Sequence, residues 1–571
     1  MTARPDWSPM ATNLVNLDAL LVREDFESLE PGVLASQSPQ RAVYLRLPDL
    51  APTGISREAL RKPDFQRETA YWTARAVAEF VHSFVSGDFV PSIIGWRNPI
   101  TGNIFVIDGA HRLSALIAWV EDDYGDGVRS LAFFSNLVPP EQLEAAAKTR
   151  SEVKRLVGSY KASQAAAKNP DTSRQDLVLV GRNADLFPIP ILWVPGDAGK
   201  AEESFYKINQ RAVAIDQTEL KIIKSRKAPS ALAARAIIRG GVGHPYWQKF
   251  PELTQQLIRE QAKAIFDILF VPPMPKQPIE TLELPIAGRS YSGGDSLGLV
   301  FDFVGVANDA VSVKTPKLAK TTIVPLDASV APGATKSKGR DATTDDPDGS
   351  ETIRWLKQAR RLAQRISGKH ASSLGVHPAV YFYGVTGRYQ PTAFLAIAGL
   401  FQKFDRDKKF QWFTSHRATF EEFLLKHRYI TNEIVNIKGG RLKSYEALME
   451  YYSMVLAAIA EGLPSDEIVK RIYGGATIGA TIGARFGAKR EQNQEFTRAN
   501  KTVAYLRKAL DSAIPCSKCG ARIGPRSISY DHDVRIQDGG TRDPENANLM
   551  HQYCNTGYKE SQHAEDLTAA E

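Results

Sequence analysis

Cysteine is almost absent from this chain. Of 571 residues only Cys516, Cys519 and Cys554 carry thiols, and none precedes position 516. Three cysteines cannot all pair with one another, and a disulfide framework spreads its cysteines along the fold. A secreted, disulfide-held protein is therefore excluded, and a local metal site near the C-terminus becomes the expectation. Long apolar runs are missing as well. No stretch approaches the ~18 consecutive apolar residues of a membrane-spanning helix. The first ten residues, MTARPDWSPM, lack the apolar core of a secretory signal. The expected protein is soluble and cytoplasmic, with no membrane partner. Residues 307–350 are poor in aromatics and rich in Lys, Thr, Asp, Ala, Pro and Gly, which predicts a disordered linker or a long surface insertion.

What is present is ordinary globular text in more than one piece. Hydrophobic residues make up 43% and charged residues 24%, enough apolar material to build cores. A chain of this length exceeds a single core and divides into ~2–4 domains. The net charge of +8 is a mild pointer to an anionic partner.

Regular patterns begin at Phe65. Ala74–Val85 has helical apolar spacing and stops at Gly87. Two β-rich runs, Ser92–Trp96 and Ile104–Ile107, flank the turn-forming Asn98-Pro99-Ile100-Thr101-Gly102-Asn103, which predicts a hairpin. After Asp108-Gly109 the helical pattern returns, with Leu113, Leu116, Ile117 and Val120 on one face. Residues 140–168 read as helical and Ile189–Val194 as a buried strand. Phe205–Ile208 reads as a short apolar stretch before a polar turn. Asp216 and Glu219 have the spacing of a capping box opening a helix Leu220–Ile238, and a further helix is expected over Leu253–Leu269. Residues 351–472 are helical text, including the apolar Tyr451–Ala460. The segment 473–496, with GGATIGATIGARFG, is a Gly-rich hinge, and a last helix covers Thr502–Leu510.

Two clusters carry chemistry. The first is Asp108-Gly109-Ala110-His111-Arg112, where a strand meets a helix. Glycine permits a tight bend there, and the free N–H groups of a helix start form a generic anion site. Arg112 could fork onto a phosphate, and Asp108 could take Mg²⁺ or a ribose hydroxyl. The plainer alternative is an Asp that caps the helix and an Arg held in a structural ion pair. The second cluster is C-terminal. Cys516-x₂-Cys519 and His551-x₂-Cys554 supply the four ligands of a closed tetrahedral structural Zn²⁺ site, whose binding would contribute much of the folding energy of so small a module.

Between those pairs stand Asp531-His532, Gly539-Gly540 and Asn548-Leu549, and Asn555 follows Cys554. This text resembles the HNH (ββα-metal) endonuclease motif. The resemblance implies His532 as general base, Asp531 and Asn555 as oxygen ligands of a catalytic Mg²⁺ or Mn²⁺, and Asn548 as the residue that orients the His532 ring, with Asn546 the nearby alternative. The chemistry suits the residue types: phosphodiester hydrolysis needs a proton acceptor for water and a cation on the phosphate.

Upstream, Phe65-Gln66-Arg67, Trp72, VIDGAHRLSAL and Phe205-Tyr206-Lys207-Ile208-Asn209 resemble the DGQQR-type domain of the ParB/sulfiredoxin-like superfamily found in phage-defence proteins of the GmrSD and SspE kind. Ala110 and His111 stand where that motif has its two glutamines. The resemblance implies a nucleoside triphosphate pocket lined by Gln66, Arg67, Asp108, Gly109, His111, Arg112 and Asn209.

The expected fold is multi-domain α+β. A ParB/sulfiredoxin-like α/β domain (1–306) is followed by the linker (307–350), a helical domain (351–472), the hinge (473–496) and an HNH domain with structural zinc (497–571). The expected function is a nucleotide-regulated, metal-dependent DNA endonuclease of the restriction or anti-phage class, with NTPase activity as an added expectation. Its partner would be double-stranded DNA, foreign or modified, with self-association or a defence-system protein as further partners. The alternatives are a ParB/DndB-like DNA-binding regulator with a non-catalytic zinc ribbon, and a stand-alone nicking enzyme.

Overall fold

The computed structural model describes residues 14–26, 44–170, 174–211, 217–290, 294–311, 344–384, 386–474 and 497–558. The core of the expected linker and nearly all of the Gly-rich segment lie outside them, as does Asp216. Among the described residues no helix is long and apolar enough to cross a membrane. The chain forms two compact units. One comprises Met1–Lys227, Gly241–Lys249 and Tyr291–Gly298; the other Ala228–Gly240, Phe250–Ser290 and Leu299–Glu571.

The first unit is built on a mixed six-stranded sheet. Its strands are β2 (Val22–Glu24), β3 (Tyr44–Leu45), β4 (Leu60–Pro63), β6 (Ile93–Arg97), β7 (Ile104–Asp108) and β8 (Ile189–Trp193), in the order β2-β4-β7-β6-β8-β3. Two short strands, β1 (Leu14–Val15) and β5 (Trp72–Thr73), pair separately. The predicted hairpin is β6–β7, antiparallel. Asn98 sets its turn by accepting from Ile100 N (2.8 Å) and Thr101 N (3.2 Å). Alternate residues of β7 go to opposite faces: Val106 joins one apolar core, Phe105 and Ile107 the other. The sheet is therefore buried on both sides.

The helix Ala74–Ser86 is started by Thr73, whose hydroxyl accepts from Ala76 N (3.1 Å), and ended by Gly87 at φ 80°. Two expectations change in detail. The run 140–168 is two helices, Pro140–Leu156 and Tyr160–Lys168, because Gly158 turns at φ 92° and Ser159 caps the second. Leu220–Ile238 is likewise two, Gln217–Lys224 and Pro229–Ile238; Pro229 cannot donate the N–H a continuous helix needs and opens the second one instead. The short apolar stretch Phe205–Ile208 lies inside helix Ala198–Arg211, with Ala201 and Phe205 buried four residues apart.

The second unit is helical around Pro391–Arg406, buried on nearly every face. Gly399 lets the Tyr445 hydroxyl of helix Leu442–Ala460 approach where any Cβ would collide. Asp346 caps the helix Ser350–Ile366, accepting from Thr352 N and Thr352 Oγ1 at 2.7 Å each. The same unit contains helix Arg498–Asp511 and the antiparallel pair β9 (Ile528–His532) and β10 (Ala547–His551).

Candidate functional site

Parallel pairing creates the N-terminal pocket. β4 and β7 run side by side in the same direction, Leu60 opposite Ile104. Their carboxyl ends therefore open on one edge, delivering Gln66 and Arg67 after β4 to Asp108–Arg112 after β7. The result is a cavity of about 130 Å³ lined by Gln66, Arg67, Asp108, Gly109, His111 and Arg112, closed by Trp72 and Phe205. Six of the seven residues expected at a nucleotide site thus meet. The seventh, Asn209, belongs to helix Ala198–Arg211, but its side chain lies outside the described residues.

Gly109 sits at φ 96° as the cap of helix Ala110–Glu121, whose first N–H groups face forward with no side-chain cap. Arg112 donates to Asp108 Oδ2 (2.7 Å) and to Ser92 O (3.1 Å), so the plainer ion pair is present, yet its Nε is buried without a partner. Gln66 donates weakly to Ile107 O (3.4 Å), and its Oε1 is buried with no donor. His111 is stacked on Trp72 (centroids 5.7 Å apart) and meets the edge of Tyr71 (6.0 Å). Burial first, then Lys62 and Arg67, holds His111 down to about 3, so the ring is neutral in the physiological range; its Nε2 is also buried and unpartnered. Arg67 lies over the Tyr71 ring (4.6 Å) and 3.8 Å from Glu219, which takes the Tyr71 hydroxyl (2.5 Å). Three orphaned polar atoms in one cavity are unusual in a folded protein. Together they suit an anionic group that also carries a hydrogen-bond donor.

Beneath the pocket, Arg226 braces the Phe65–Arg67 segment. It donates to Asp64 Oδ2 (3.0 Å) and Glu202 Oε1 (3.1 Å) and lies 5.7 Å from the Phe65 ring centroid. Neither this brace nor Trp72 and Phe205 as walls are among the expected site residues; the two aromatics enter the sequence reading as part of the family-like text, without a role in the pocket.

At the C-terminal site, the ligand atoms of Cys516, Cys519, His551 and Cys554 all lie within 4.8 Å of one another. Zn–S bonds of ~2.3 Å and Zn–N bonds of ~2.0–2.1 Å place tetrahedral S and N donors ~3.5 Å apart. His551 Nδ1 is 3.4 Å from Cys519 Sγ and 3.7 Å from Cys554 Sγ. Its other nitrogen, Nε2, faces the Arg522 carbonyl at 3.2 Å, which fixes the tautomer with Nδ1 free for a metal. Hydrogen bonds from Cys519 and Cys554 hold the Cys516 thiol below its ordinary value, and the same contacts push the Cys554 thiol up. The residues fit Zn²⁺.

β9 and β10 carry the remaining predicted residues. Asp531 stands opposite Asn548, and His532 opposite Ala547. Asn555, just past the ligand Cys554, donates to Ser529 Oγ (2.9 Å) and Tyr530 O (3.2 Å). Ser529 and Asp531 point to the same face of the strand, so Asn555 lies on the Asp531 side. Asp531 Oδ1 accepts from His532 N (2.9 Å). One expected contact is not made. Asn548 donates to Asp533 Oδ1 (2.7 Å) rather than to the His532 ring, because the loop after β9 curls back over β10. Asn546 holds that loop, accepting from Val534 N (2.7 Å) and donating to Val534 O (2.9 Å) and Thr541 O (2.7 Å).

Residues 53–226, which span the N-terminal pocket, match the family model of the GmrSD restriction endonuclease N-terminal domain. No curated protein and no solved structure matches the chain.

Proposed function

We propose that this chain is a metal-dependent DNA endonuclease of the restriction or defence class, in which the first unit's pocket binds a nucleoside triphosphate and the β9–β10 module cuts. The observation that carries the reading is that Asn555, next to the cluster residue Cys554, hydrogen-bonds Ser529 and Tyr530 of β9, the strand that ends in Asp531 and His532. The match of residues 53–226 to a restriction endonuclease domain supports it independently.

In this reading Zn²⁺, held by Cys516, Cys519, His551 and Cys554, keeps the module folded. A Mg²⁺ or Mn²⁺ ion at Asp531 and Asn555 would supply charge neutralisation at the scissile phosphate. His532 accepts a proton from water as the water oxygen bonds to phosphorus; the ester P–O bond breaks, and the leaving oxygen takes a proton from solvent. In the first unit, Arg112 and the N–H groups at the start of helix Ala110–Glu121 hold phosphate oxygens, while Gln66 Oε1 accepts from the ligand. The DNA is double-stranded, foreign or modified, gripped mainly through its phosphates, so binding weakens steeply with salt.

The test is plasmid cleavage with Mg²⁺ or Mn²⁺, on modified and unmodified DNA, with and without each triphosphate. Cleavage lost in His532→Ala with zinc content unchanged is the expected result; metal-independent cleavage, or none in any condition, sinks the nuclease reading. Triphosphate binding lost in Arg112→Ala is expected of the pocket. One observation favours a second reading. Because Asn548 is engaged by Asp533 and not by His532, a zinc module that binds DNA without cutting it is the alternative, and DNA binding without cleavage in the wild type would select it.

A further inference from the structure

With zinc bound, the Cys₃His cluster would place charge in a buried setting. Three thiolates, a neutral imidazole and a divalent cation sum to a net charge of −1, and Cys516, Cys554 and His551 are buried. A buried ligand set needs its geometry held by groups outside the four ligands. The helix Phe410–Lys426 brings a buried ion pair, Arg417 with Glu421, to this place. Arg417 is 0% exposed, and so is Glu421, one turn further on.

These two residues are wired to a metal ligand. Arg417 Nε donates to Glu421 Oε1 (2.8 Å), which also accepts from the Tyr381 hydroxyl (3.0 Å). The second carboxylate oxygen accepts the backbone N–H of Arg522 (2.8 Å), and the carbonyl of Arg522 accepts from His551 Nε2 (3.2 Å). A continuous hydrogen-bonded path therefore runs from ligand imidazole to buried guanidinium. Arg417 Nη1 donates to Leu374 O (2.5 Å), and Nη2 is buried and makes no hydrogen bond.

We infer that Arg417 and Glu421 are positioning residues of the metal centre: Glu421, through Arg522, orients His551, and Arg417, paired with Glu421, fixes that carboxylate in place. The inference rests on the reading of the cluster as a Zn²⁺ site. It gives the helical body a part in the cutting module, because Asn555 adjoins Cys554 and moves with it.

The experiment uses the full chain with zinc as the probe. Zinc content is measured by elemental analysis and retention by chelator competition, and Co²⁺ replacement gives a thiolate charge-transfer spectrum. Arg417→Met is expected to weaken zinc retention about 10–100-fold, with Arg417→Lys weakened less because it keeps the charge. Glu421→Gln should shift the Co²⁺ bands, while Tyr381→Phe, which removes only a bond to Glu421, leaves retention near wild type. If the wild type holds no zinc, the metal reading itself fails. If it holds zinc and Arg417→Met holds it as tightly, the inference is overturned. Where Arg417→Met does not fold, Glu421→Gln decides: a wild-type Co²⁺ spectrum together with wild-type retention overturns the inference equally.

Discussion

The tightest point in the N-terminal pocket is Gly109, and its substitution by alanine has a cost that can be worked out. At φ 96° an L-residue pays roughly 1–2 kcal/mol for the left-handed region. The new methyl would also stand 2.6 Å from Ile93 Cδ1, closer than any real Cβ contact, and 3.1 Å from Arg112 Nη2. Ile93 is 2% exposed in the core, so relieving the clash resembles overpacking and adds roughly 1–3 kcal/mol. Gly109→Ala should therefore destabilise the first unit by about 2–5 kcal/mol, a fall of about 5–15 °C in its Tm. The two contributions separate in a double-mutant cycle. Ile93→Val removes the offending Cδ1 and alone costs about 0.5–1.5 kcal/mol. If the clash matters, Gly109→Ala with Ile93→Val is more stable than the sum of the singles by more than the ~0.5 kcal/mol scatter of additivity. Triphosphate affinity behaves differently, because the methyl still crowds Arg112: the double variant regains stability without regaining binding. Calorimetry on the four proteins and titration with each triphosphate make the measurement. A strictly additive cycle, or a Gly109→Ala protein melting within ~2 °C of wild type, would refute the reasoning.

Three further outcomes are expected. His111 has a folded value of about 3, below the unfolded ~6.5, so the unfolded chain takes the proton first; this stabilisation is complete above pH ~6.5 and declines by up to ~1.4 kcal/mol per pH unit as the pH falls toward 3. Thermal melts at pH 7 and pH 5 should show a smaller acid-induced loss in His111→Gln than in wild type. Arg226→Ala leaves Asp64 and Glu202 without this partner beneath Phe65, and should cost about 3–5 kcal/mol together with triphosphate binding, read by denaturant melts and titration. Asn546→Ala releases the loop after β9 and should lower DNA cleavage and expose residues 533–541 to limited proteolysis, while elemental analysis finds zinc unchanged.

How much of this was legible in the one-dimensional text depends on the range of the interaction. The metal ligands could be read directly, because two short x₂ spacings bring each pair together within a turn and the scarcity of cysteine elsewhere removed competitors. The hairpin β6–β7, the helix end at Gly87 and the bend at Gly109 were legible for the same reason: a turn, a helix end or a positive φ is set by a few neighbouring residues. Helix breaks at Gly158 and Pro229 had local causes too, but the apolar periodicity on either side ran through them and masked the interruption.

Tertiary structure alone decided the rest. Gln66 and Asp108, grouped in the sequence only by resemblance, share a cavity because β4 and β7 are parallel neighbours, and strand adjacency across dozens of residues leaves no mark on periodicity. That His111 is neutral follows from burial between Tyr71 and Trp72 and from cations supplied by other segments. Arg417 and Glu421, an Arg–Glu pair four residues apart on a helix, look like a solvated surface pair in the sequence; only packing reveals them as fully buried and joined to His551. Local chemistry chose the ligands and the turns, whereas long-range packing set the dielectric, the partners and the charge balance that let those residues act.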